Sequence, residues 1–407
     1  MMTLSEANAL LSSRNQEISS LSFPKFLRKA KIHFDGDVIH VAGSNGKGET
    51  VFYLTRLALA KKHTGVGSFY NFYYQNFTES IWLDGKPLSE EKACEYLERL
   101  LPLADQYGIT RFEFCLSVAL LAFQEAHISL AILECGMGGE EDPTHIEELN
   151  QVGVVVTNVA LEHTEYLGTT LSEIALSISG IISQGVPVIV GSMDESAEET
   201  LRLVAAKKKT WIRGIERVYL PHLVNREAFH FDYPPYKDII VPGLASYHVT
   251  NACLALEAAK TIPCLQGLNE EQINASFREG GILEGHLDHH GVVYFDGANN
   301  PQAVDVLRRC FATLGQKKDV HVLFACLRRQ NLSAMLPLLD DAAGSVTLTT
   351  FDHEDARDEM GYALYVEDHA YIGNPLMALM QLEAEHPDET IVATGCPEFV
   401  AYLKQRL

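Results

Sequence analysis

One stretch constrains this chain more than any other. An apolar run, Val38-Ile39-His40-Val41-Ala42, breaks into Gly43-Ser44-Asn45-Gly46-Lys47-Gly48-Glu49-Thr50 and passes into a helix-like pattern from Val51 onward. A strand that ends in glycines and opens a helix turns backbone N–H groups toward one point where an anion is favoured, and Lys47 adds a positive charge there. The expected ligand of such a loop is a polyphosphate. The spacing departs from the common phosphate-loop pattern, with Val41 where the first glycine would stand and Gly48 where Ser or Thr follows the lysine. Glu49 is the odd residue, because a carboxylate beside phosphates is repelled unless a metal ion bridges them.

The rest of the chain supplies a βα context for that loop. Residues 1–35 read as helical and amphipathic, with Leu10, Leu11, Ile18, Leu21 and Phe26 apolar. A helix over 46–62 and a short strand over 65–69 follow the loop, then helices over 89–106 and 110–127. Leu130-Ala131-Ile132-Leu133-Glu134 repeats the design of an apolar strand ending in an acid and glycines, Cys135-Gly136-Met137-Gly138-Gly139. A third strand, 152–158, is followed by Glu162-His163. Ligands bind at the carboxyl ends of strands in parallel α/β sheets, so Lys47, Glu134 and His163 form a candidate constellation with Glu134 placed as a metal ligand. A turn carrying a solvated acid is the plain alternative for Glu134, and a structural histidine is that for His163. A helix over 171–184 and a strand over 186–190 continue the alternation, residues 227–232 alternate as an antiparallel strand would, and helices follow over 248–261 and 269–277. Past Gly280-Gly281 a fresh alternation of strands and helices starts, which predicts domains over 1–285 and 286–407.

Two features stay open at this level. The aromatic tract 69–77, with Phe69, Tyr70, Phe72, Tyr73, Tyr74 and Phe77, could stack on a flat ligand or simply cover neighbouring helices. Glu113, inside the apolar run 112–120, needs either a partner or a solvated edge.

Composition excludes other classes. The net charge of −22 argues against nucleic acid and anionic membranes as partners, which require a basic footprint, and the single run Lys207-Lys208-Lys209 reads as a solvated helix end. The eight cysteines are scattered without a CxxC pair, which suits a reduced compartment. No apolar run is long enough to span a bilayer and the start of the chain lacks the features of a signal peptide, so the expectation is a soluble, cytoplasmic protein.

Taken together, the motifs resemble the Mur ligase superfamily and, within it, the folylpolyglutamate synthase/dihydrofolate synthase family. The resemblance rests on Gly43-Ser44-Asn45-Gly46-Lys47-Gly48, Thr110-Arg111-Phe112-Glu113, Leu133 to Gly139, Glu162 to Leu171, Asn251-Ala252 and Asp296-Gly297-Ala298-Asn299-Asn300-Pro301, in the family's order over nearly the whole chain. It implies an α/β fold: an N-terminal ATPase domain with a central, mostly parallel sheet, and a smaller C-terminal Rossmann-like domain. The implied reaction is ATP-dependent phosphorylation of a substrate carboxylate, followed by attack of an amino-acid amine to form an amide. The implied cofactors are ATP and Mg²⁺, the partners are a small carboxylate and an amino acid, and the default state is a monomer. Carried over, Gly43, Asn45, Gly46, Lys47, Gly48 and Thr50 would cradle the nucleotide and Asn251 and Asn300 would contact it. Glu134 and His163 would bind the metal with Asn71 and Glu49 in altered ligand positions, and Lys47, His163 and Asp296 would act in catalysis.

Departures from the family pattern cluster at its active site. The residue after Gly-Lys-Gly is Glu49 where the family has Ser or Thr, and its Ser-Pro-His aligns on Asn71-Phe72-Tyr73. Its Glu-Arg is Glu79-Ser80, its Gly-Gly-Arg is Gly138-Gly139-Glu140, and its carbamylated lysine aligns on Ile178. Gly285-His286 replaces Gly-Arg, Asn299 replaces a histidine, and Arg329-Gln330 falls on an Asp-Lys stretch. The sequence therefore predicts a ligase with a re-equipped site, in which Glu49 and Glu140 replace metal ligands and Arg328 or Arg329 supplies charge, acting on a substrate other than folate. A catalytically weak or inactive nucleotide-binding relative is the reading from another class, and an ordinary folylpolyglutamate synthase is the third.

Overall fold

The computed structural model describes residues 2–14, 22–61, 65–74 and 76–407, without the side chain of Leu220. Ile18 and Leu21 of the expected N-terminal helical stretch, Lys62 of the loop helix and Gln75 of the aromatic tract lie outside the described residues.

The chain divides into two compact units, one of residues 1–219, 232–239 and 250–280 and one of residues 220–231, 240–249 and 281–407. The expected boundary after 285 lies close to the start of the second unit's long segment. The assignment of 220–231 and 240–249 to that unit had no signal in composition.

The first unit runs α1 (Leu4–Ser12), α2 (Phe23–Ala30), β1 (Asp37–Ala42), α3 (Lys47–Ala60), β2 (Val66–Phe69), β3 (Ile81–Leu83), β4 (Lys86–Pro87), α4 (Glu90–Tyr107), α5 (Arg111–Glu125), β5 (Leu130–Glu134), β6 (Asn150–Val156), α6 (Thr164–Leu167), α7 (Leu171–Ser179), β7 (Val188–Val190), α8 (Glu195–Lys207) and β8 (Ile212–Gly214). Its eight strands are ordered β4-β3-β2-β5-β1-β6-β7-β8. The β2–β3 and β3–β4 pairs are antiparallel and the other pairs parallel. Helix starts follow local chemistry: Thr3 with Glu6, Thr110 with Glu113 and Thr170 with Glu173 form reciprocal capping boxes for α1, α5 and α7. This resolves Glu113, which is fully buried and accepts the Thr110 N–H at 2.9 Å.

One face of the sheet carries a core that joins α1, α2, α4 and α5 to Val38, Phe69, Ala131 and Leu133. A second core gathers Ala42, Val154, Val156, Ile174, Ile178, Ile181 and Leu201 under α7 and α8. The expected helix over 171–184 is shorter than its apolar pattern, ending at Ser179 before Gly180.

Strands β9 (Tyr219–Val224), β10 (Ala228–Tyr233) and β11 (Tyr236–Pro242) make a three-stranded sheet ordered β11-β10-β9, and helices α9 (Ser246–Thr261) and α10 (Glu270–Gly280) follow. Helix α3 packs on α10.

The second unit continues with β12 (His286–His290), β13 (Val293–Asp296), α11 (Pro301–Leu314), β14 (Val320–Phe324), α12 (Leu332–Ala342), β15 (Ser345–Thr349), β16 (Ala370–Ile372), α13 (Pro375–Glu385), β17 (Thr390–Thr394) and α14 (Pro397–Lys404). Its six-stranded sheet is ordered β12-β13-β17-β14-β15-β16, parallel except at β12–β13. Strand β12, rich in histidine and lacking apolar alternation, escaped the sequence pattern. Among the described residues no helix is long and apolar enough to cross a membrane.

Candidate nucleotide site

Strand β1 lies between β5 and β6, so the glycine loop, Glu134 and the segment leading to His163 leave three adjacent parallel strands at the same end. The chain returns from α3 to β2 on the β5 side, whereas β6 leads away on the other, which makes the carboxyl end of β1 a topological switch point. Register brings Val41 opposite Glu134 and Ala42 opposite Val156.

The loop is shaped by conformation and by a clamp. Gly43 has φ +122°, and a Cβ there would lie 2.3 Å from Thr157 Oγ1, so only glycine fits. Gly46 caps α3 from a left-handed conformation, and no side chain caps that end. The first-turn N–H groups therefore present the partial positive charge that a phosphate oxygen complements. Asn158 holds the loop from the end of β6: its Oδ1 accepts the Asn45 N–H at 3.0 Å and its Nδ2 donates to Asn45 O at 2.9 Å. Ser44 N–H donates to Asn158 O at 3.0 Å, and Ser44 Oγ accepts the Ala160 N–H at 2.9 Å. Lys47 Nζ donates to Ser44 O at 2.9 Å, folded over its own loop.

Glu134 is 8% exposed, and its Oε2 accepts the Asn71 N–H at 3.0 Å. The same oxygen lies 3.4 Å from where a Cβ on Gly48 would sit, so the carboxylate stands at the first turn of α3. This pairing of an uncapped helix start with a carboxylate fits a phosphate chain carrying a divalent cation, with Glu134 as the hard oxygen ligand. Asn71 itself is exposed and joins the cluster through its backbone. His163 takes a left-handed conformation (φ +46°) and opens the short helix α6. The glycines after β5 are held by Asp142, which accepts the Met137 N–H at 2.8 Å and the Thr144 hydroxyl at 2.6 Å; burial pushes its carboxyl up.

Several expected ligand-binding side chains have partners inside the protein. Glu49 is fully buried, with Oε2 accepting from Asn251 Nδ2 at 2.7 Å and Oε1 from the Tyr53 hydroxyl at 3.3 Å. The carboxylate expected as a metal ligand is thus engaged by Asn251 and Tyr53 at the third residue of α3. Thr50 donates its hydroxyl to Gly46 O at 2.8 Å and is also fully buried. Asn251, on α9, lies against the loop, since a Cβ on Gly46 would meet its Oδ1 at 2.5 Å. Its Nδ2 donates to Glu49, so Asn251, expected to contact the adenine, also braces the loop. Asn300 caps α11, accepting the Ala303 N–H at 2.9 Å.

Ile178 is 2% exposed within the apolar core under α7. The aromatic tract is mostly packing: Phe69 meets Phe112 at 5.4 Å and Tyr70 meets Trp82 at 5.5 Å, with Phe69, Tyr70 and Phe77 buried. Phe72, Tyr73 and Tyr74 are half-buried, and the Arg111 guanidinium lies 4.9 Å over the Tyr73 ring. Glu140 is exposed.

In the second unit, Asp296 ends β13 and is 5% exposed. It accepts the Tyr247 hydroxyl at 2.5 Å and the Ala298 N–H at 2.9 Å. Burial pushes its carboxyl up to about 6, against the Tyr247 bond and the nearby His286 and His248, which favour the anion. Arg328 and Arg329 pair with Asp358 at 3.6 Å and Glu398 at 3.4 Å. Sequence reasoning missed Asn158, Asp142 and Tyr247; for Asn158 the available signal was a polar residue at the end of an apolar run.

No family model matches the chain. It is 27% identical over 397 residues to the dihydrofolate synthase/folylpolyglutamate synthase of Bacillus subtilis, covering 90% of each chain. It is 27% identical over 391 residues to the folylpolyglutamate synthase of Lacticaseibacillus casei, covering 91% of this chain and 90% of the relative. Over nearly its whole length the chain is thus similar to folylpolyglutamate and dihydrofolate synthases. Solved structures agree on the fold of this family. The Mycobacterium tuberculosis folylpolyglutamate synthase complexed with ADP superposes with a TM-score of 0.85 at 21% identity, covering 98% of this chain and 97% of that one. The apo L. casei enzyme gives 0.84 at 23% identity, covering 99% of both.

Proposed function

We propose that this chain is an ATP-dependent carboxylate–amine ligase of the folylpolyglutamate synthase type. The observation that carries the reading is the meeting, at the switch point of the first sheet, of an uncapped glycine-loop helix start, Lys47 and the Glu134 carboxylate. Lys47 and the loop amides bind and orient the outer phosphates of ATP, and Glu134 with His163 hold the Mg²⁺. The bound metal ion supplies charge neutralisation for phosphoryl transfer, a reaction governed by positioning and electrostatics. Asn158 and Asn251 position the loop, and Asp296 is the candidate catalytic carboxylate of the second unit. The γ-phosphoryl group passes to a substrate carboxylate oxygen, and an amino-acid amine then displaces phosphate to leave an amide.

The finer reading is a single metal position and an acid other than folate. Ile178, packed among aliphatic side chains, offers no donor where the family's second metal ligand stands. The folate-related activities named for the relatives support an ordinary folylpolyglutamate synthase instead, so both belong in one assay. The purified protein is incubated with ATP, Mg²⁺, glutamate and other amino acids, and a panel of acids that includes pteroates, folates and non-pterin carboxylates; phosphate release is measured. Turnover with a non-pterin acid and none with folates supports the finer reading, and turnover with folates alone replaces it by the ordinary enzyme. ATP binding without turnover supports a nucleotide-binding relative, which Ile178 favours. No turnover and no nucleotide binding would overturn the proposal.

A further inference from the structure

Among the described residues one group, His321, His386 and Glu389, places imidazole and carboxylate donor atoms all within 4.8 Å of one another. His321 is the second residue of β14, His386 is the C-cap of α13, and Glu389 immediately precedes β17, which pairs with β14. The group therefore sits at the amino-terminal edge of the second unit's parallel strands, whereas Asp296 closes β13 at the carboxyl end. It is separate from the groups assigned to the ligase reaction.

The geometry is that of converging ligands. His321 Nε2 and His386 Nδ1 lie 2.6 and 2.7 Å from the same oxygen, Glu389 Oε2. The two rings stack with centroids 3.4 Å apart and an interplanar angle of 19°. A carboxylate only accepts hydrogen bonds, so without a cation both nitrogens must present protons to it. The far side of His321 is fixed: Nδ1 lies 2.8 Å from Ser345 Oγ, at the start of β15. A serine hydroxyl can donate or accept, so it holds this ring equally well when Nε2 is a proton donor or a bare lone pair. Orientation of a ligating histidine through its other nitrogen is the usual outer arrangement of metal sites. His321 is 5% exposed, while His386 and Glu389 are 26% and 37% exposed, which leaves a path from solvent and room for water ligands.

We propose that His321, His386 and Glu389 form a binding site for a divalent transition-metal ion, with Zn²⁺ the best match, braced by Ser345. Two imidazoles and one carboxylate suit Zn²⁺ and not the oxygen-rich shells preferred by Mg²⁺ or Ca²⁺. Ligand atoms on a tetrahedral Zn²⁺ stand about 3.4 Å apart, so the present 2.6–2.7 Å contacts open slightly as the ion enters and replaces the two shared protons. Residues 321, 386 and 389 tie the neighbouring strands β14 and β17 to the end of α13, so the ion acts as a structural clasp.

The test uses the full chain stripped of metal with a chelator and titrated with Zn²⁺ in the presence of millimolar Mg²⁺, with bound metal counted by mass spectrometry. One Zn²⁺ per chain is expected, with Co²⁺ giving the intense visible bands of a tetrahedral site. Glu389→Gln and His386→Gln should each abolish stoichiometric binding, and Ser345→Ala should weaken it about 10- to 100-fold. Circular dichroism of each variant confirms that it is folded, and Ser345→Ala, which removes no ligand, keeps the proposal testable if a ligand variant is not. Zinc binding that persists unchanged in folded Glu389→Gln and His386→Gln, or no zinc binding by the original chain, would overturn it.

Discussion

If Glu49 braces the glycine loop instead of facing the phosphates, then its energetic coupling to Asn251 is the quantity to measure. The carboxylate is fully buried, and the 2.7 Å bond from Asn251 Nδ2 is in the range of charge-assisted hydrogen bonds. Such a bond contributes about 1.5–3 kcal/mol, and the corresponding bond to a neutral amide about 1 kcal/mol. The Tyr53 bond, at 3.3 Å from a neutral donor, adds less. Asn251→Ala should therefore cost about 2–3 kcal/mol in the original chain and about 1 kcal/mol in a Glu49→Gln background, a coupling of about 1–2 kcal/mol. Both tryptophans, Trp82 and Trp211, lie in the first unit, so urea unfolding followed by intrinsic fluorescence reads the relevant unit. Additivity within about 0.5 kcal/mol would refute the pairing. A marked gain in ATP affinity on Glu49→Gln alone would refute the orientation, because only a carboxylate facing the phosphates repels them.

Three further outcomes follow from the same geometry. Lys47→Ala should lower ATP-dependent turnover about 100- to 1,000-fold with little change in unfolding midpoint, since the ammonium bonds to its own loop at Ser44 O. Gly43→Ala should destabilise the first unit by about 1–3 kcal/mol and weaken nucleotide binding, because the backbone at φ +122° and Thr157 leave no room for a Cβ; an unfolding curve matching the original chain would contradict this. Asp296 holds its proton more tightly when folded, at about 6 against an ordinary 3.8. Its contribution is thus complete below about pH 4 and lost as pH rises through about 6, roughly 3 kcal/mol in all. The stability difference between the original chain and Asp296→Asn, read by circular dichroism in urea, should shift by that order between pH 4 and 7, and a pH-independent difference would contradict the burial argument.

The reading of β1, the glycine loop and α3 survived because three independent local signals coincide there: an apolar run, glycines at positive φ, and a helical pattern after Lys47. Glu134 and His163 were legible as strand-end groups, and the sheet order then set their strands on either side of β1. The direction of Glu49 was not legible. A third helical residue can face the ligand or the interior, and the partner that decides it, Asn251, is 202 residues away. The same distance problem hides Asn158, the Tyr247–Asp296 bond and the His321–His386–Glu389 group, none of which has a spacing signature. Strand β12, His286–His290, was missed because its side chains carry little apolar alternation, and its pairing comes from the neighbouring β13. Segments 220–231 and 240–249 join the second unit through tertiary packing that no local composition records.

The proposed ligase activity depends on the loop at Gly43–Thr50 coupling ATP to amide formation. The most direct test is ADP release by the purified protein with ATP and Mg²⁺ across the acid and amino-acid panel, run beside Lys47→Ala. ADP release should require both an acid and an amine and should fall by about two orders of magnitude or more in the variant. Equal background release by both proteins with every pair of substrates, and no bound nucleotide in either, would contradict it.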